Sequence, residues 1–216
     1  MAETRIPIYL EIGAKRCFAC SIEWPGWCRS GKTEEEALEA LTVVAPRYAE
    51  VARRAGRRFP NIEREHFEVV ERIEGNATTD FGAPGKVAKA DYESFDRNRA
   101  NRLADLLQAS WEFLDEVVAG APAELKKGPR GGGRDRDGIC RHVFGAESSY
   151  ARTIGLKLKE PELGDTEAIH RVRAAILERI VPGGGVPEKG WPIPYFVRRD
   201  AWHVLDHAWE IQDKSP

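Results

Sequence analysis

Residues 197–211 read VRRDAWHVLDHAWEI. Val197, Ala201, Val204, Leu205, Ala208 and Ile211 recur three or four residues apart, the period of one helical face, and predict a helix over about 195–213. His203 and His207 stand in that stretch with the spacing H-x-x-x-H. They differ by about 40° around the axis and lie one turn apart, so both imidazoles can reach one point. With Val204 at zero, Ala201, Leu205 and Ala208 lie at positive angles up to about 100°, and His203 and His207 at about −100° and −60°. The pair therefore borders the apolar stripe and aims at a seam between helices. Alone it has two readings: a metal-ligand pair, or two interfacial histidines hydrogen-bonded to carboxylates.

Three more helices precede this one. The first spans about 98–119, with Leu103, Leu106, Leu107, Phe113, Leu114, Val117 and Val118 on one face. A glycine- and charge-rich loop, Gly128 to Arg134, follows. The second spans about 136–155 and aligns Ile139, Val143, Ala146 and Tyr150. The third is N-capped by Asp165, carries Ile169, Val172, Ile176 and Ile180, and is stopped by Pro182-Gly183-Gly184-Gly185. Four amphipathic helices cannot bury their faces singly, and a four-helix bundle over 99–216 is the economical solution. His142 lies beside Val143 on the second of them. Together with His203 and His207 it makes three histidines on two helices, the number first-row metals take when one position stays open for water or substrate.

The first 75 residues have another character. Arg5 to Ile12 predicts a strand with Ile6, Ile8 and Leu10 on one face, and Arg16 to Glu23 a second strand after a turn at Gly13. Trp24-Pro25-Gly26-Trp27 is a loop. Thr33 and Glu36 have capping-box spacing, and Ala37, Leu38, Leu41, Val44, Ala45, Tyr48, Val51 and Ala52 continue as a helical stripe. His66 to Ile73 returns to strand. The pattern is β-β-α-β, an α+β layer with one helix over an antiparallel sheet. Residues 76–98 show no convincing period and are expected to be a connection.

Composition narrows the classes. The chain has 216 residues, a formal net charge of −2, 31% charged and 42% hydrophobic residues. That is the profile of an ordinary globular protein, with one large domain or two small ones. Its apolar runs are far shorter than the roughly 18 residues of a membrane span. MAETRIPIYLEIG lacks a basic start followed by an apolar stretch, so a cytoplasmic location is expected. The near-neutral charge argues against nucleic-acid binding by counterion release. The cysteines are irregularly spaced and read as free thiols. Cys17 and Cys20 point to opposite faces of a strand, and Cys140 lies about 200° round the helix from His142. His66 and His170 read as surface or packing residues. Gly131-Gly132-Gly133 lacks the frame of a phosphate loop, and Arg134-Asp135-Arg136-Asp137 reads as a solvated helix entry. Trp191, Tyr195, Trp202 and Trp209 read mainly as core, with one or two able to line a pocket.

Two family resemblances attach to these motifs. The second strand, Trp24-Pro25-Gly26-Trp27, Gly31-Lys32-Thr33 and Glu35-Glu36-Ala37-Leu38 resemble the HicB-like antitoxin module over about fifty residues. That resemblance implies a small sheet that often serves in protein–protein contact. The second half resembles the DinB superfamily of up-and-down four-helix bundles. The resemblance rests on Asp137-Gly138-Ile139-Cys140-Arg141-His142 with Ala146-Glu147, and on residues 198–210, RRDAWHVLDHAWE. The family places one metal-ligating histidine on its second helix and an H-x-x-x-H pair on its fourth. The resemblance thus implies His142, His203 and His207 as ligands of a divalent transition metal, zinc or nickel first.

Some DinB-like proteins are transferases or isomerases that use a low-molecular-weight thiol, activated as a thiolate at the metal. A hydrolase would use the same open position and would need a general base within hydrogen-bond reach. Glu147, five residues past His142, points about 140° away, whereas Glu210, one turn past His207, is the carboxylate to consider as base or as an orienter of the histidine, its other reading being a solvated or salt-bridged acid of the last helical turn. Asp206 reads equally as a histidine partner or a surface charge. The expected partners are a small-molecule substrate or thiol, with neither nucleic acid nor membrane, and a homodimer is an assembly such bundles form. The alternative is a non-catalytic metal- or ligand-binding scaffold whose N-terminal module mediates association.

Overall fold

The computed structural model describes residues 5–128, 132–182 and 189–216. Residues 1–4 of the N-terminal reading, 129–131 of the glycine-rich loop and 183–185 of the helix stop lie outside the described residues. The fold is mixed α+β. The strands are β1 (Ile6–Ile12), β2 (Cys17–Ser21), β3 (Cys28–Gly31) and β4 (Phe67–Glu74), in one sheet of order β3-β2-β1-β4. The helices are α1 (Glu34–Arg54), α2 (Ala77–Phe81), α3 (Arg97–Gly120), α4 (Arg136–Thr153), α5 (Thr166–Ile180) and α6 (Ile193–Lys214). Among the described residues, no helix is long and apolar enough to cross a membrane.

The expectation of an antiparallel sheet needs correction. β1–β2 and β2–β3 are antiparallel, but β4 pairs with β1 in parallel. The added strand β3 supplies the reason. It runs alongside β1 in direction, and a chain that returns through a helix starts its next strand at the same end, which makes β4 parallel to both. α1 begins as the spacing of Thr33 and Glu36 predicts: Thr33 Oγ1 accepts from the Glu36 N–H at 3.2 Å. Glu36 reaches back one residue further than the reciprocal box, accepting from the Lys32 N–H at 2.8 Å.

The sheet is covered on both sides. Ile6, Ile8, Leu10, Cys17 and Ala19 face α1 and join Ala37, Leu41 and Tyr48 in the main core. Tyr9, Phe18, Cys20 and Cys28 form the other face and pack under Ala83, Ala88 and Trp202. The 76–98 stretch is therefore a docked cover that includes α2. Its clamp is Glu11, fully buried in β1, which accepts from the Gly85 N–H at 2.9 Å, the Lys86 N–H at 3.0 Å and the Thr79 hydroxyl. A buried carboxylate survives only with such partners, so this acid in a strand acts as an anchor.

One apolar cluster runs from Ile6 to Ile211 across both halves of the chain. α6 packs along α3 and against α4, while α5 packs on α3 and α4. The Trp24–Trp27 loop seats α6 on the sheet. Gly26 has φ 89°, and a Cβ there would lie 2.7 Å from Leu205 Cδ1 and 3.2 Å from Ala201 Cβ, so only glycine lets the loop approach this closely. Arg29 of β3 pairs with Asp206 of α6 at 3.0 Å.

Candidate metal centre

α4 contributes one imidazole and α6 two. His142 sits near the start of α4, just outside the buried positions Ile139, Cys140 and Val143. His203 and His207 occupy successive turns of α6, between buried Val204 and Ala208 and the seam with α4. The three rings pack edge to face, with centroids 4.9 Å apart for His142–His203, 4.9 Å for His142–His207 and 4.7 Å for His203–His207. One ligand nitrogen from each lies within 4.8 Å of the others. His142 Nε2 and His203 Nε2 are 3.1 Å apart. Two nitrogens held by one tetrahedral zinc at 2.0–2.1 Å stand about 3.3 Å apart, so this separation fits a shared cation.

The electrostatics leave lone pairs free. Burial, then the neighbouring His207 and His142 rings, hold His203 well below its ordinary value. Burial and His207 also lower His142. Both rings are neutral at neutral pH, the form that ligates. Glu210 orients the third ring. His207 Nδ1 and Glu210 Oε2 are 2.7 Å apart. The bond with His207 is the main cause that brings the Glu210 carboxyl down to about 2, with Lys214 adding to it against the opposing effect of burial. Glu210 is thus ionised and accepts, so His207 Nδ1 carries the proton and Nε2 is the nitrogen available to a metal. Lys214 Nζ donates to the other Glu210 oxygen. His203 Nδ1 is buried with no hydrogen-bond partner among the described residues.

The other candidates separate from this centre. Asp206 is taken by Arg29. Cys140 is buried elsewhere on α4, and Cys17 and Cys20 fall on opposite sheet faces, in different apolar clusters. His66 caps a short turn by accepting from the Glu63 N–H at 3.0 Å, and His170 is exposed. Around His203 lie Tyr150, at 5.8 Å between centroids, and Trp202, at 6.2 Å. The Arg199 guanidinium covers both of those rings, at 5.4 and 4.8 Å. Trp191 packs tilted against Tyr150 and meets Tyr195 edge to face, and Trp209 is core under Arg29.

Sequence reasoning missed a second polar cluster one turn below the histidines. Glu147 and Asp200 are buried with Arg173, whose Nη1 donates to Asp115 at 2.7 Å and whose Nη2 is 3.6 Å from Glu147. Burial pushes Glu147 up to about 7, against the pull of Arg173, and raises Asp200 well above the usual carboxylate range. A signal for Asp200 was present: four residues before Val204, it lies at about −40° on the same wheel, at the border of the apolar stripe between Ile211 and His207. Arg198 was missed too. It is 5% exposed and holds fully buried Asp91 through both of its terminal nitrogens.

No family model, no curated protein and no solved structure matches this chain.

Proposed function

We propose that this chain is a metal-dependent enzyme of the DinB-like kind, a thiol-dependent transferase or a hydrolase acting on a small molecule. In this reading α3–α6 form an up-and-down four-helix bundle, and residues 1–75 are a HicB-like module packed against it. The observation that carries it is the convergence of His142, His203 and His207, each neutral or held in one tautomer, at the α4–α6 seam. Three imidazoles suit a divalent transition metal, zinc or nickel first, and leave a coordination position open.

A metal held there supplies Lewis acidity to a thiol or a water in that position. The chain's own residues do the rest. His142 and His203 present neutral nitrogens, and His207 offers its Nε2. Glu210 keeps the Nδ1 proton on His207 and fixes its ring, and Lys214 fixes Glu210. With both oxygens engaged and its carboxyl near 2, Glu210 suits this orienting role better than that of a general base. Trp202 and Tyr150 wall one side of the His203 ring and restrict water there.

The test is metal analysis of the protein as isolated, followed by titration of the metal-free chain with zinc and nickel. The expected result is about one metal per chain. A wild-type chain that stays metal-free at saturating zinc and nickel would overturn the proposal. Bound metal without turnover of thiol adducts or esters would favour the scaffold reading.

A further inference from the structure

Cys20 and Cys28 lie outside the histidine centre, on neighbouring antiparallel strands. Their Cα atoms are register partners across β2 and β3. The next pair toward the loop is joined by a backbone bond, Ser21 N–H to Trp27 O at 3.0 Å. Bonded and non-bonded pairs alternate along an antiparallel ladder, so Cys20 and Cys28 form a non-hydrogen-bonded pair, with Cα atoms about 4.5 Å apart. That separation falls inside the roughly 4.4–6.8 Å range that a disulfide spans without moving the backbone. Both side chains must then leave the same face of the sheet, and their sulfurs are 2.7 Å apart. Beside them is a cavity of about 10 Å³, lined in part by Tyr9, Arg198 and Trp202, room for about one water-sized molecule.

We propose that Cys20 and Cys28 are a dithiol–disulfide site, closed by a hydroperoxide. Cys20, which lines this cavity with Arg198, attacks one peroxide oxygen; the O–O bond breaks, leaving a sulfenic acid on Cys20 and one water. Cys28 then attacks the Cys20 sulfur; the S–O bond breaks, and the hydroxyl leaves with the Cys28 proton as a second water. Two thiols and one hydrogen peroxide become one disulfide and two waters, each sulfur losing one electron. Burial keeps Cys28 protonated, so closure is slow beside that of an exposed thiol. The bond staples both ends of the Trp24–Trp27 loop, which seats α6 through Gly26.

The experiment uses the full chain, reduced and then freed of reductant. It is treated with hydrogen peroxide, denatured in an alkylating agent, and weighed intact and after cleavage by trypsin and a glutamate-specific protease. These enzymes cut after Arg16, Glu23 and Arg29, and so separate Cys20 from Cys28. The expected result is loss of two hydrogens, alkylation of only Cys17 and Cys140, and a linked pair of peptides 17–23 and 24–29. Cys17→Ala retains the link, which assigns it to Cys20, and Cys28→Ala abolishes it. The proposal is overturned if all four thiols remain alkylatable, if the link disappears in Cys17→Ala, or if Cys20 and Cys28 oxidise to sulfinic acids without joining.

Discussion

Arg198 and His203 stand on the same helix, 5% and 6% exposed, and meet opposite surroundings. Arg198 closes on Asp91, nitrogen to oxygen on both prongs of the fork. His203 faces His142 and His207, two further donors of the same kind, and its Nδ1 has no partner among the described residues. A buried charge that finds its counter-charge inside the protein is part of the scaffold. Imidazole nitrogens gathered around one point are a set that a cation could bind. The difference separates the part of α6 that holds the sheet cover in place from the part that could hold a metal ion.

The sharpest way to break that comparison is to remove one member of each set. Asp91→Ala leaves a buried guanidinium unpaired and is expected to cost about 3–5 kcal/mol in denaturant unfolding. His203→Ala removes a ring with no hydrogen-bond partner outside the trio and should cost the metal-free chain under about 2 kcal/mol. If the ranking reverses, the histidines are scaffold and the distinction fails. Metal binding reads the other side. His203→Ala is expected to lower zinc affinity about 100-fold or more in competition with a chromophoric chelator, with helix content by circular dichroism unchanged. Unchanged affinity would place the metal elsewhere. Glu210→Gln keeps the shape and an acceptor for His207 but removes the charge, so about tenfold weaker binding is expected. An equal loss in Glu210→Gln and His203→Ala would make Glu210 itself a ligand.

The long periodic elements were legible from the chain alone. α1 and α3–α6 carry apolar stripes, and β1 shows its inward set Ile6, Ile8 and Leu10 by alternation. β3 was not, because Cys28–Gly31 is four residues with no alternation. Its strand character comes from pairing with β2, and with it comes the direction of β4. The connection over 76–98 hid its role for a similar reason: its backbone N–H groups are ordered by Glu11, more than sixty residues earlier. The histidine trio was legible because two members share a turn spacing and the third flanks an apolar position. Glu210 was legible by the same spacing rule. Burial of Glu147 was not, since its partner Arg173 comes from another helix and no local pattern announces that meeting.

The Glu147 cluster is the intermediate case, and pH sharpens it. Two buried acids, Glu147 and Asp200, and the half-exposed Asp115 surround one buried arginine, Arg173, so the charges do not balance unless a proton stays. Burial raises Glu147 from its ordinary 4.5 to about 7. Between those values the folded chain holds a proton that the unfolded chain has lost. The stabilising contribution is complete below 4.5 and is lost as pH rises through 7. His203 slopes the other way, because its ring stays neutral when folded and takes up a proton when unfolded near 6.5. The wild-type curve alone mixes the two, and the difference between wild type and Glu147→Gln isolates the acid. The variant's melting temperature, relative to wild type and metal-free, is expected to rise by about 5–10 °C between pH 5 and pH 8, the equivalent of about 2–3 kcal/mol. Parallel curves would mean that Glu147 is ionised throughout and that Arg173 alone compensates it. The cluster would then belong with Arg198 and Asp91, closed by its own charges.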